Sequence, residues 1–170
     1  MTPETFLATI IDPGLDALAN LGGPAPSHDA RRMCLTIAMQ ESGRDLNARY
    51  QNSPSTSPGP ARGWWQFEQG GGVNGVLNHS GSKTQARKLC DHCAVQAQDG
   101  AVWRALEGHD DLACGFARLL LWTDPKALPT NAADGWDYYL RNWRPGKPHR
   151  ENWDGNWMAA ETAVAAAEAA

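Results

Sequence analysis

Glu41 occupies the position in this 170-residue chain where a side chain could most readily do acid chemistry. From Ala30 onward the apolar residues Ala30, Met33, Cys34, Ile37 and Ala38 follow the three-and-four spacing of an amphipathic helix. The next step of that stripe is Glu41, in the last turn before Gly43. A carboxyl group on a buried face loses solvation when charged, so its pKa rises and it can donate a proton near neutral pH. The structural alternative is a glutamate that caps the helix end or pairs with Arg44. Cys90 and Cys93 form a second constellation, a C-x-x-C with His92 inside it, which suits zinc or thiol redox chemistry. A zinc site needs two further placed ligands, and no second C-x-x-C or H-x-H pair is present. Ala86, Cys90, Cys93, Ala94 and Ala97 also fall on one helical stripe, so the thiols read as small core residues and no metal or cofactor is expected.

Length and charge bound the setting. A chain of 170 residues fits one domain with a proper core. The net charge of −4 argues against a nucleic-acid partner, which would call for a basic stripe. Eight tryptophans are many for this length, and such residues both line grooves and fill cores. No stretch is long and apolar enough to span a bilayer, and the first residues lack the basic and apolar regions of a signal peptide. Synthesis and folding in a cytoplasm, with reduced cysteines, is the expectation.

The elements that must position Glu41 are helical throughout. Thr2-Pro3 opens a first helix, interrupted at Pro13-Gly14 and resumed over 15–21. Ser27 or Asp29 caps the central helix that carries Glu41. Residues 47–62, with Pro54, Pro58, Pro60 and several serines, form a long loop of the functional kind. Gly70-Gly71-Gly72 marks a turn or close backbone approach. Ser82 is expected to cap a helix over 83–98, residues 110–122 to form the most buried helix, and residues 136–143 a further short one. Residues 143–157 read as a structured loop, and 158–170 as an alanine-rich helical tail. No strand pattern appears, so the fold class is all-α, with one domain over 1–157 and the tail over 158–170.

Glu41-Ser42-Gly43, a loop, then Gly63-Trp64-Trp65-Gln66 resembles the signature of lytic transglycosylases and goose-type lysozymes. The resemblance implies a lysozyme-like helical domain with a loop-rich active-site face, acting on the β-1,4 bond between N-acetylmuramic acid and N-acetylglucosamine in peptidoglycan. It implies Glu41 as acid and then base, Ser42 orienting substrate or Glu41, Gly63 giving close approach to substrate, and Gln66 bonding sugar. Trp64 and Trp65 take the family's apolar pair, lining the groove or packing beneath it. The family's A-Y-N-A-G segment is absent, and Asp137-Tyr138-Tyr139-Leu140 stands in about its place, so Tyr138 or Tyr139 is the candidate contact to Glu41. A transglycosylase needs one carboxylate, whereas a hydrolase usually needs a second. Glu68 is the candidate for that role, ahead of Asp45 and Asp124, and its alternative is a solvated turn residue. Arg144, Lys147 and Arg150 could meet the anionic groups of peptidoglycan or be ordinary surface charge. A cell-wall substrate and a cytoplasmic origin together imply a bacteriophage endolysin released through a holin lesion, or a lysin carried in the virion with other tail proteins. The rival readings are a muramidase hydrolase, an inactive assembly protein on a lysozyme-like scaffold, and a small zinc module at Cys90 and Cys93.

Overall fold

The structure, a computed structural model, describes residues 1–47 and 59–170. Most of the long loop expected over 47–62 lies outside them. The described chain is all-α apart from one minimal hairpin.

Helix α1 (Pro3–Phe6) starts where the Thr2 hydroxyl accepts the Thr5 N–H at 3.2 Å, with Pro3 in the first turn. The expected interruption at Pro13 does not occur. A π-helical turn, Leu7–Ile11, runs straight into α2 (Asp12–Asn20), so Pro13 lies inside a continuous helix, directly after the wider turn that takes the place of the break. Gly14 lets α2 close on a later helix, since a Cβ there would stand 2.6 Å from Cys114 Cβ.

Helix α3 (His28–Ser42) is capped by Ser27, whose Oγ accepts the Ala30 N–H at 3.1 Å. It is buried on every face from Arg32 to Met39, so it runs through the centre of the molecule. After it, β1 (Ala61–Arg62) and β2 (Phe67–Glu68) pair antiparallel, Ala61 opposite Glu68 and Arg62 opposite Phe67. Two residues per strand are too few for an alternation signal, which is why no strand is legible in the sequence. A second π-helical turn, Gln69–Val73, leads into α4 (Asn74–Asn78).

Helix α5 (Lys83–His92) is shorter than the expected 83–98, because Ala94 turns left-handed at φ 53° and the chain restarts as α6 (Asp99–Ala105). Cys90 is buried and Cys93 half-buried, but Ala94 and Ala97 are exposed, so the cysteine stripe ends at the helix terminus. Ser82 does not cap α5; its hydroxyl donates to the Val76 carbonyl at 2.8 Å and ties α5 to α4.

Helix α7 (Asp110–Trp122) is buried along nearly its whole length, as its spacing predicts. Helix α8 (Ala132–Trp143) begins ahead of Trp136 because Asn131 Oδ1 caps it, accepting the Asp134 N–H at 3.0 Å. The segment 143–157 is only in part a loop, since helix α9 (Arg150–Glu168) begins within it. Trp153, Trp157, Ala160 and Val164 set one apolar stripe along α9, and 157/158 falls inside this helix without a break.

Helix α9 packs along α3 more extensively than any other described helix pair, and α2 on α7 comes next. Arg32 Nη1 donates to Glu161 at 2.7 Å, and the His28 ring bridges Glu161 at 3.0 Å and Glu168 at 2.9 Å. Those two carboxylates raise the His28 pKa. Among the described residues no helix is long and apolar enough to cross a membrane.

Candidate functional site

Glu41 ends the central helix at the floor of a cleft of about 1080 Å³. Its pKa is raised to about 7 by burial, against a smaller lowering effect of the Tyr139 hydroxyl, which donates to Oε1 at 2.6 Å. The acid is therefore about half protonated at neutral pH. Arg44 is exposed and makes no ion pair with it among the described residues. Burial, rather than a charge partner, sets the acidity here.

Tyr139 owes its position to the tryptophan-rich second half of the chain. Its ring stacks on Trp153 at 5.1 Å and 24°, and on Trp143 at 6.5 Å and 28°. Trp143 is fixed in turn by its Nε1–H, which donates to the Trp65 carbonyl at 3.0 Å, and Trp153 by a 2.8 Å bond to the Ala132 carbonyl. Burial and the neighbouring carboxyl both push the Tyr139 hydroxyl far above the ordinary phenol range, so it remains a donor. Tyr138, one residue away and turned about a quarter-circle around α8, points elsewhere. It donates to the Leu121 carbonyl at 2.7 Å and is buried away from the cleft.

The other sequence candidates divide between cleft and support. Gln66 lines the cleft in a left-handed conformation, φ 51°, while its Nε2 donates to the Gly63 carbonyl at 2.9 Å. The Oε1 atom of Gln66 is the end left for a ligand. Glu68 is exposed on β2 and lines the same cleft. Ser42 is buried and outside the lining; its hydroxyl donates to the Trp64 carbonyl. It joins the end of α3 to the hairpin. Gly63 likewise serves the fold. At φ +74°, with a would-be Cβ 2.6 Å from the Leu106 carbonyl oxygen, it allows close approach to the end of α6.

Trp64 and Trp65 are both core residues. Trp64 is 4% exposed, packs edge-on to Phe6 at 5.3 Å and donates Nε1–H to Asp110 at 2.9 Å; Trp65 is fully buried and bonds the Cys34 carbonyl at 2.8 Å. Asp124 is outside the cleft lining and bound to Arg141 at 2.6 Å and Asn142 at 2.9 Å. Burial alone would push its carboxyl up, but those bonds and the Lys126 N–H together hold it below the ordinary range. Asp45 and Arg150 also lie outside the lining, and Arg150 pairs with Asp154 at 2.8 Å. Arg144 and Lys147 do line the cleft.

Gln40 escapes the sequence analysis although it neighbours Glu41. Its Nε2 donates to the His149 carbonyl at 2.9 Å and its Oε1 accepts from Asn156 at 3.0 Å, pinning the α8–α9 connection and α9 to the end of α3. The signal for it is indirect: Asn156 is the polar member of the Trp153–Trp157 stripe, and a polar residue there needs a buried partner. At Cys90, burial pushes the thiol up to about 12, and Cys93 is also raised. Among the described residues no group of three or more His, Cys, Asp or Glu is placed to hold a metal ion.

Set against protein-family models, curated proteins and solved structures, the chain matches none. The chemistry of the cleft must be argued from the cleft itself. It holds one half-protonated acid on a rigid helix end, one neutral donor fixed against it, and a polar lining open to solvent. Such an arrangement can give a proton to a leaving oxygen and take one back.

Proposed function

We propose that the chain cleaves the β-1,4 bond between N-acetylmuramic acid and N-acetylglucosamine in peptidoglycan, on a lysozyme-like body, as a lytic transglycosylase. The observation that carries this reading is Glu41, raised to about 7 by burial and facing an open polar cleft with Tyr139 as its fixed hydrogen-bond donor. In the reaction the Glu41 carboxylic acid passes its proton to the glycosidic oxygen as the bond from the muramic C1 breaks and an oxocarbenium-like state develops. The Glu41 carboxylate then takes the proton of the same sugar's 6-hydroxyl, whose oxygen closes on C1. The product is a 1,6-anhydro sugar, and the acid returns protonated with no net proton change. A pKa near the working pH suits a group that must serve in both directions.

The hydrolase alternative has its own support in Glu68, the second carboxylate on the lining of the same cleft. There Glu68 would act as nucleophile or activate a water. A phage lysin, reaching the wall through a holin lesion or carried in a virion, is the setting that this substrate and the resemblance of the chain imply.

Digestion of purified peptidoglycan by the wild type and by Glu41→Gln, with products read by mass spectrometry, tests the reading. The expected result is 1,6-anhydromuramoyl ends from the wild type and none from the variant. Reducing muramic ends would move the assignment to a hydrolase using Glu68. Intact peptidoglycan after exposure to the wild type, across several wall chemotypes, would overturn the enzymatic reading in favour of an inactive scaffold.

A further inference from the structure

The connection from α8 to α9, residues 144–149, forms a wall of the cleft and carries Arg144 and Lys147 on it. Both side chains are exposed, and neither makes an ion pair among the described residues; Arg144 has only a long 3.4 Å contact from Nε to the Arg141 carbonyl. Of the other polar groups on the lining, Arg141 is paired with Asp124 at 2.6 Å and the His149 ring meets Glu151 at 2.9 Å, while the exposed Glu68 carboxylate stands apart from the 144–149 connection on β2. Two free cations therefore face the cleft of a protein whose net charge is −4. They are also held in place. Trp143 and His149 flank the connection and are bonded to Trp65 and Gln40 respectively, and Pro145 and Pro148 stiffen what lies between. Arg144 itself adopts φ 50°, ψ 51°, a left-handed helix cap where glycine is favoured and arginine is strained. Another segment of the lining differs in kind: at Gly70 and Gly75 a Cβ would meet nothing within 4 Å, and neither residue has a positive φ that would require glycine.

We infer that the cleft selects a carboxylate-bearing glycan, with Arg144 and Lys147 binding the negative groups that hang from the strand while the sugar rings lie along the side-chain-free segment. The inference rests on the peptidoglycan reading and deepens it, because a neutral polymer of the same backbone would leave both cations unmatched. A muramic residue offers such a carboxylate in one of two forms, in the stem peptide where it carries one, or on the lactyl group once the amide that joins the peptide to it has been cut. The charge is common to both.

Binding measured in the non-cleaving Glu41→Gln protein separates recognition from bond cleavage, so this inference and the enzymatic one fail separately. Soluble peptide-bearing glycan strands are titrated against Glu41→Gln alone and against Glu41→Gln combined with Arg144→Ala and Lys147→Ala. Each exposed ion pair contributes a few-fold, so the combined variant is expected to bind about tenfold more weakly at low salt. That gap should close as salt rises. Strands whose carboxylates have been converted to amides should bind both proteins alike. Strands stripped of peptide by an amidase carry the newly freed lactyl carboxylate instead: if they keep the gap, a carboxylate at either place satisfies the two cations; if they lose it, the stem-peptide carboxylates are the groups bound. Arg144→Gly, which suits the left-handed cap, controls for folding: it should hold the melting temperature and still weaken binding. Equal binding by all proteins, or amidated strands that bind the parent protein as tightly as native ones, would overturn the inference.

Discussion

Replacing Glu41 with glutamine should make the protein more stable in mild alkali and leave it unchanged in acid. The folded state holds the Glu41 proton with a pKa of about 7, against 4.5 for an ordinary glutamate. A raised carboxyl pKa favours the folded state fully below the ordinary value, and that contribution is lost as pH rises through the folded value. The gap of about 2.5, at about 1.4 kcal/mol for each pH unit, makes the wild type about 3 kcal/mol less stable at about pH 8 than at about pH 4 from this group alone. Glutamine keeps the volume, still accepts the Tyr139 hydroxyl and carries no charge to desolvate. Thermal or urea unfolding of both proteins across that range reads the difference, in which the other titrating groups, His28 and Asp124 among them, cancel. For a chain of this size the alkaline gap corresponds to roughly 6–12 °C in Tm. Parallel stability curves, or a variant less stable than the wild type at the alkaline end, would refute the assignment of Glu41 as a desolvated acid.

Two further perturbations probe the same site. Tyr139→Phe keeps the ring between Trp153 and Trp143 but removes the donor that favours the charged Glu41. With burial left as it is, the Glu41 midpoint should climb above 7 by about one pH unit, readable by carbon NMR of labelled glutamate; an unchanged or lower midpoint would contradict it. Gly63→Ala puts a Cβ 2.6 Å from the Leu106 carbonyl oxygen at a φ of +74°, and should cost about 2–4 kcal/mol in chemical denaturation. A loss below about 1 kcal/mol would mean that the hairpin shifts freely and does not hold Gln66 in place.

The placement of Glu41 is legible because the stripe from Ala30 to Ala38 leads to it, although α3 is buried on every face through its middle and the off-stripe Arg32, Leu35, Thr36 and Met39 are buried as well. The α7 boundaries are legible for the same local reason, and the cap of α3 is legible as Ser27 or Asp29, of which Ser27 is the one used. Tyr138 and Tyr139 cannot be separated in sequence. They are adjacent on one helix, and which of them meets Glu41 depends on whether α9 or the end of α7 packs on each face. The start of α9 is hidden by its composition: Pro145, Gly146 and Pro148 signal a loop, and Gly155 prolongs that signal past Arg150. The spacing of Trp153, Trp157, Ala160 and Val164 contradicts it, and the packing against α3 wins. Ser42 and Gly63 show the opposite limit, since residue type alone does not say whether a hydroxyl or a bare backbone serves a ligand or a neighbouring strand.

The meeting of α3 with α9, and with Tyr139 of α8, joins parts of the chain that are far apart in sequence: His28 meets Glu168, Gln40 meets Asn156, and Glu41 meets Tyr139. Contacts that close such long loops form late, because their entropy cost comes before their reward. During synthesis α3 leaves the ribosome long before the helices that cover it, with Glu41 still in water and as acidic as any free glutamate. The raised pKa of Glu41 is thus not set within its own helix alone. It is conferred when distant parts of the chain, Tyr139 of α8 among them, close over a side chain made 98 residues earlier.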